Sequence, residues 1–219
     1  IGYQAAAAFD AGESGNTVIG YQAALSMDGS GCDGNVIIGK SAGTGGAANV
    51  ADCVVIGTDA MNSTASNAQT GIIAIGTGAL TALTSGLGNL AIGFQAMDGN
   101  QTSDYNIAIG YDTLSALTAD GTAGNVAIGY AAGQSVLSGT GNVAVGYTAL
   151  QNANGAETDN VAIGYQAMTN VDASSSGANN IAIGRNALIG GGTTTTVGNI
   201  AIGGSALSAT AGNDQTGTI

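Results

Sequence analysis

The sequence predicts an all-β fold: a parallel β-solenoid (β-roll or β-helix) with about 18 residues per coil and about twelve coils. Three observations predict it. An aliphatic residue followed by glycine recurs twelve times, with the glycine at 2, 20, 39, 57, 76, 93, 110, 129, 146, 164, 184 and 203. The stretch before that glycine is short, rich in Val and Ile, and bounded by Asn and Gly, which are strand and turn signals. The step between repeats is 17 to 20 residues, whereas helical repeats need units of roughly 33 residues or more.

Each element of the repeat has a physical reading. Asn stands four positions before the glycine in Asn16, Asn35, Asn89, Asn106, Asn125, Asn142, Asn160, Asn180 and Asn199, with Cys53 and Ile72 in the remaining two places. Its amide can bridge turn backbone, and copies stacked in register would form a ladder. A strand of three or four residues follows, and it ends in the pairs Ile19-Gly20, Ile38-Gly39, Ile56-Gly57, Ile75-Gly76, Ile92-Gly93, Ile109-Gly110, Ile128-Gly129, Val145-Gly146, Ile163-Gly164, Ile183-Gly184 and Ile202-Gly203. Side chains alternate along a strand, so Val126 and Ile128 share one face and Ala127 takes the other. The expectation is that the Ile and Val columns fill the coil. The Ala column (Ala74 to Ala201, after Val18, Ile37 and Val55) then forms a second apolar face.

The glycine marks a bend. After it comes a second short stretch of the type Tyr-Gln-Ala-Leu, taken as the second strand of the coil. The first place holds Tyr21, Phe94, Tyr111, Tyr130, Tyr147 and Tyr165, an aromatic column that packs between coils or subunits or contacts a surface such as a glycan. Lys40, Thr58, Thr77 and Arg185 break that column. The remaining residues of each repeat are small, polar and variable in number, as surface turns are. Six positions past the Ile stand Leu25, Thr44, Asn62 and Asp98, so the aliphatic period of a three-faced hexapeptide helix is absent.

Composition narrows the function. Of 219 residues, only Lys40 and Arg185 are basic, 14 are acidic, and the net charge is -12. Two cations cannot build a nucleic-acid footprint. With no His, imidazole acid–base chemistry and imidazole metal ligation are excluded. Cys32 and Cys53 make neither a disulfide scaffold nor a zinc cluster, and their places in the repeat set them badly for pairing. No apolar run reaches the roughly 18 residues of a membrane helix, and no signal peptide is visible. The first residue already lies within the pattern, so residues 1–219 read as one solenoid segment of a longer fibrous chain.

Candidate chemistry is sparse. Glu157 and Asp159 are the nearest thing to a hydrolase pair, and a hydrated surface is the stronger reading. The turn Asp28-Gly29-Ser30-Gly31 with Asp33 offers hard oxygens, but its spacing fits no calcium loop. No catalytic, cofactor or metal residue is assigned. A single coil offers a thin core, and a long apolar stripe on a monomer is unusual, so association with copies of the same chain is expected.

The Asn-Val-Ala-Ile-Gly-Tyr-Gln-Ala-Leu unit, clearest in 16–24, 35–43, 89–97, 106–114, 125–133, 142–150, 160–168, 180–188 and 199–207, resembles the head repeats of trimeric autotransporter adhesins. It is also similar to repeats of phage tail fibres. The resemblance implies a left-handed parallel β-roll assembled as a homotrimer, non-enzymatic and extracellular. It would be a segment of a virion appendage presenting loops to a host glycan or receptor, or alternatively of a bacterial surface adhesin. The repeats here are longer than those of adhesin heads, and the extra residues lengthen one loop. A glycan-degrading enzyme on a β-helical scaffold is the third reading, and it requires carboxylates clustered in a groove.

Overall fold

The protein is described by a computed structural model that covers residues 1–10, 12–45, 49–63, 68–100, 102–118, 121–153, 155, 157–170, 177–190, 196–208 and 215–216. Parts of the variable loops, including Thr193 to Thr195, lie outside these residues.

Eleven three-residue strands stack into one parallel sheet: Thr17–Ile19, Val36–Ile38, Val54–Ile56, Ile73–Ile75, Leu90–Ile92, Ile107–Ile109, Val126–Ile128, Val143–Val145, Val161–Ile163, Ile181–Ile183 and Ile200–Ile202. The pairing is in register with the sequence repeat, Ile19 on Ile38, Ile56 on Ile75, Ile109 on Ile128, Ile183 on Ile202. Each run of about 18 residues therefore lies directly on the last, and the chain is an all-β parallel solenoid.

The two faces of that sheet are the reverse of the expectation. The middle residue of each strand points into the coil: Ala108, Ala162 and Ala182 are fully buried, and Ala127 is 1% exposed. The flanking Ile and Val point outward, and Ile128, Ile163 and Ile183 each remain 37% exposed. The physical reason is the narrowness of the coil. Inside it the strand residue faces the side chain four places after the glycine, and the two share one small volume. Opposite Leu80, Met97, Leu114, Leu150, Met168 and Leu188 the strand contributes Ala, while opposite Met61 it contributes Val55. Where the strand contributes Ile37, the facing residue is Gly43, and a Cβ there would sit 3.3 Å from Ile37 Cδ1. Further core residues (Met27, Leu83, Leu117 and Val136) come from seven places after the glycine.

This arrangement predicts opposite costs for neighbouring isoleucines. Ile37→Ala empties a fully enclosed site beside Gly43 and should destabilise by about 2–4 kcal/mol. Ile38→Ala removes outward methyl groups and should cost the isolated chain about 1 kcal/mol or less. Urea denaturation of the two variants checks the pair; a larger loss at Ile38 would contradict the orientation.

The second strand of the coil also lies elsewhere. The Tyr-Gln-Ala-Leu stretch is a turn segment in which left-handed residues alternate with ordinary ones: Thr148 (φ 48°) and Leu150 (φ 51°), Gln166 (φ 53°) and Met168 (φ 54°). Alternating left-handed residues cannot propagate an extended strand. The segment still bonds from coil to coil. Thr148 N donates back to Tyr130 O (2.8 Å) and Leu150 N donates forward to Ala167 O (2.9 Å). The short second strands lie on the other side of the repeat, mostly just before the Asn place, in Val50–Ala51, Gln69–Thr70 and Gly86–Leu87, in Ser103–Asp104 with Gly121–Thr122, and in Thr196–Val197 with Gln215–Thr216.

Two internal ladders fix the stacking. Asn125 N and Nδ2 donate to Asn106 Oδ1 (2.9 and 3.3 Å), Asn142 does the same to Asn125, and Asn160, Asn180 and Asn199 continue the series. All of these Asn are buried. The spare Nδ2 proton reaches a loop carbonyl of the next coil, as in Asn125 to Gly139 O (2.8 Å) and Asn142 to Glu157 O (2.8 Å). The second ladder is made of the repeat glycines, which touch backbone to backbone.

Candidate functional site

The outer face of the long sheet is the most distinctive surface of the molecule. Three columns run along it. The first is Val36, Val54, Ile73, Leu90, Ile107, Val126 and their equivalents. The second is the Ile or Val before each glycine, and the third begins one place after the glycine. The glycines between the second and third columns leave the sheet backbone close to the surface.

The third column is the aromatic one, and the structure does bring its members together. Phe94, Tyr111, Tyr130, Tyr147 and Tyr165 stack as one ladder, with centroids 5.0 to 5.2 Å apart and planes within 12° of parallel. Tyr3 and Tyr21 form a separate stacked pair at 5.5 Å. Arg185 caps the long ladder, its guanidinium carbon 5.5 Å from the Tyr165 ring centroid. Parallel in-register pairing causes this: one residue type in one place of every coil must repeat at the strand spacing. The rings of the long ladder are 42–48% exposed. Their flat faces, however, are spent on one another, so a sugar ring would meet aromatic edges and hydroxyls rather than an open platform.

Charge is partitioned around the coil. None of the 14 carboxylates falls in the three outer columns, and both cations of the chain, Lys40 and Arg185, fall in the third. Among the described residues, most of the acidic side chains lie on the turns and loops, with Asp104 in a short strand and Glu157 buried. Asp98 and Asp112 are neighbours on the turns, and the Asp98 carboxyl titrates above its usual range, through burial first and the Asp112 carboxylate second.

The other sequence candidates are placed as follows. Glu157 is fully buried in the coil, with both carboxylate oxygens accepting from Gly155 N (3.1 and 2.9 Å), whereas Asp159 is exposed. One faces inward and the other solvent, so they do not form a working pair. Glu157 shares its inward column with Cys32, Val50, Gln69 and Ser103; nothing in the repeat pattern marked that column as interior. Asp33 accepts hydrogen bonds from Ser14 N and Oγ of the preceding coil (2.6 and 3.0 Å). Among the described residues, no group of three or more Cys, Asp or Glu side chains is placed to hold a metal ion. No helix among them is long and apolar enough to cross a membrane.

Cys32 and Cys53 are both buried thiols. Cys53 replaces Asn in the ladder, and its Sγ accepts from Ile72 N at 3.4 Å where an Asn Oδ1 would otherwise stand. Burial chiefly, with the Asp52 carboxylate adding a smaller push, raises its thiol from an ordinary 9.0 to about 11. The raised value sets a sign. Between about 9 and 11 the unfolded chain releases a proton that the folded chain keeps. The contribution is therefore complete below pH 9 and declines as pH rises toward 11. Measured by urea midpoints, the stability of the wild type relative to Cys53→Ala should fall across that window; a flat difference would contradict the burial of this thiol.

No known protein family, curated protein or solved structure matches the chain. What stands is the architecture itself: an all-β parallel solenoid scaffold of a kind compatible with a structural, fibrous role, with autotransporter and tail-fibre repeats among several families of that general form.

Proposed function

We propose that the chain is a non-enzymatic rod segment of an extracellular fibre, a virion tail fibre or similar appendage. In this reading copies pack through the outer face of the long sheet into a homotrimer, and the variable loops point toward a host surface. One observation carries it: a carboxylate-free strip along the whole sheet, two of its three columns aliphatic apart from Thr17, in a chain whose net charge is -12. Eleven strands at about 4.8 Å make the strip about 50 Å long, and three columns about 13 Å wide give a footprint of about 650 Å². That approaches the roughly 800 Å² that each partner contributes to a stable interface. A second copy of the chain is the partner whose strip matches it rung for rung. Copies this acidic repel each other on every other side, and only this face brings them together without apposing carboxylates. The face supports pairing with a second copy, and the number three comes from the sequence resemblance. Few Lys and Arg residues also suit a chain exposed to extracellular proteases. A bacterial surface adhesin would use the same rod.

Light scattering of the purified segment tests it. The wild type should run at three times the 20.8 kDa chain mass. A variant with Ile109, Ile128 and Ile163 changed to Asp should run as a single chain, because these side chains leave the core untouched. A wild type that stays monomeric at high concentration would overturn the reading.

A further inference from the structure

We infer that the tyrosine ladder is a site of oxidative cross-linking, in which consecutive coils become covalently joined through their phenol rings. Tyr111, Tyr130, Tyr147 and Tyr165 are held at centroid separations of 5.2, 5.0 and 5.2 Å with planes 9° apart. Each is 44–48% exposed, so its edge faces solvent while its faces meet its neighbours. Strand pairing fixes the order of the rungs, so every phenol has the same two neighbours at all times. Phe94, which has no phenol, closes one end, and the Arg185 guanidinium closes the other. The four rings therefore have one another as partners and nothing else within the column.

The chemistry needs an external one-electron oxidant, of the class that a peroxidase generates from hydrogen peroxide. Each of two adjacent phenols gives up one electron to the oxidant and its hydroxyl proton to water. The two phenoxyl radicals then join by a carbon–carbon bond between ring positions ortho to oxygen. Each joined carbon loses its hydrogen as a proton, which restores both hydroxyls. Two electrons and two protons leave per link, and one hydrogen peroxide takes them up to become two waters. The product ties together residues 17 to 19 apart, one coil to the next. For a solenoid with so thin a core, such a seam holds neighbouring coils together independently of packing. The coupled rings belong to one chain, and the reaction is read in dilute protein, where no second copy covers the column.

The test is to treat the folded segment with peroxidase and hydrogen peroxide and follow the blue fluorescence of coupled phenols. Peptide mass spectrometry then locates the links. Expected are intrachain links Tyr111–Tyr130, Tyr130–Tyr147 and Tyr147–Tyr165, with Tyr3–Tyr21 as the separate pair. Tyr105 is 55% exposed and stacks on no other ring among the described residues, so it serves as the internal control and should stay unlinked within the chain. The double variant Tyr130→Phe, Tyr165→Phe keeps a stacked column, as Phe94 shows a phenyl ring can, but leaves Tyr111 and Tyr147 two rungs apart. The three ladder links should be lost and the Tyr3–Tyr21 link retained. Links dominated by Tyr105 or formed mainly between chains, or fluorescence unchanged in the double variant, would overturn the inference.

Discussion

Gly129→Ala is expected to cost more than about 4 kcal/mol and to abolish a cooperative unfolding transition at room temperature. Two independent reasons converge on this residue. Its φ is 135°, a conformation that side chains rarely enter, and a Cβ would sit 2.5 Å from Gly146 O and 2.8 Å from Gly146 C. Neither obstacle can move. The carbonyl belongs to the backbone of the next coil, and Gly129 N already donates to Ile109 O of the coil before (2.8 Å). Shifting one coil to make room would break the register of the Ile, Asn and aromatic columns together. Gly124→Ala is the matched control. Its φ of 61° is also left-handed, but a Cβ there meets nothing within 4 Å. The cost should be the conformational preference alone, about 1–2 kcal/mol. Urea titration followed by circular dichroism separates the two; equal losses would contradict the backbone contact.

Asn142→Ala is the second large effect. This one side chain takes part in several buried bonds. Its Nδ2 donates to Asn125 Oδ1 (3.1 Å) and Glu157 O (2.8 Å), and its Oδ1 accepts from Asn160 N and Nδ2 (both 3.1 Å). Truncation removes these bonds from the buried Asn160 amide and from the Glu157 carbonyl. Each such group costs about 1–3 kcal/mol, so a loss of about 3–5 kcal/mol is expected. Cys53 shows that a side chain other than Asn can supply an acceptor at this place, since its sulfur receives the Ile72 amide. Asn142→Cys should therefore retain part of what Asn142→Ala loses, and a Cys variant no better than Ala would count against the ladder.

Much of the fold was legible because the repeat is linear and the stacking copies it. A glycine every 17 to 20 residues gave the coil length, and pairing of Ile19 with Ile38 and of Val161 with Ile181 follows that spacing residue for residue. The Asn column and the aromatic column were visible for the same reason. The inside and outside of the strand were not. Hydrophobicity alone assigns Ile to the core and Ala to a contact. The deciding quantity is the volume left between two walls of a narrow coil, and the opposite wall had been assigned the wrong conformation. Met168 and Leu150 fill that volume from left-handed positions, which no propensity of Met or Leu announces. Glu157 was misplaced for a related reason: an acidic residue in a variable loop looks solvated, yet it continues an inward column begun by Cys32 and Val50. Of the candidate site, the charge partition was readable in the sequence only after the faces were known.

The central claim is that alanine faces inward and isoleucine faces outward toward another copy. Thiol labelling tests it most directly, because the native Cys32 and Cys53 are buried and Cys53 stays protonated to about pH 11. A maleimide added to Ala127→Cys should leave that position unmodified until the chain unfolds. Ile128→Cys should react quickly in dilute protein and become protected as concentration rises and copies cover the strip. Rapid labelling at 127 with protection at 128 in the single chain would contradict the fold's orientation, and labelling at 128 that ignores concentration would contradict the assembly.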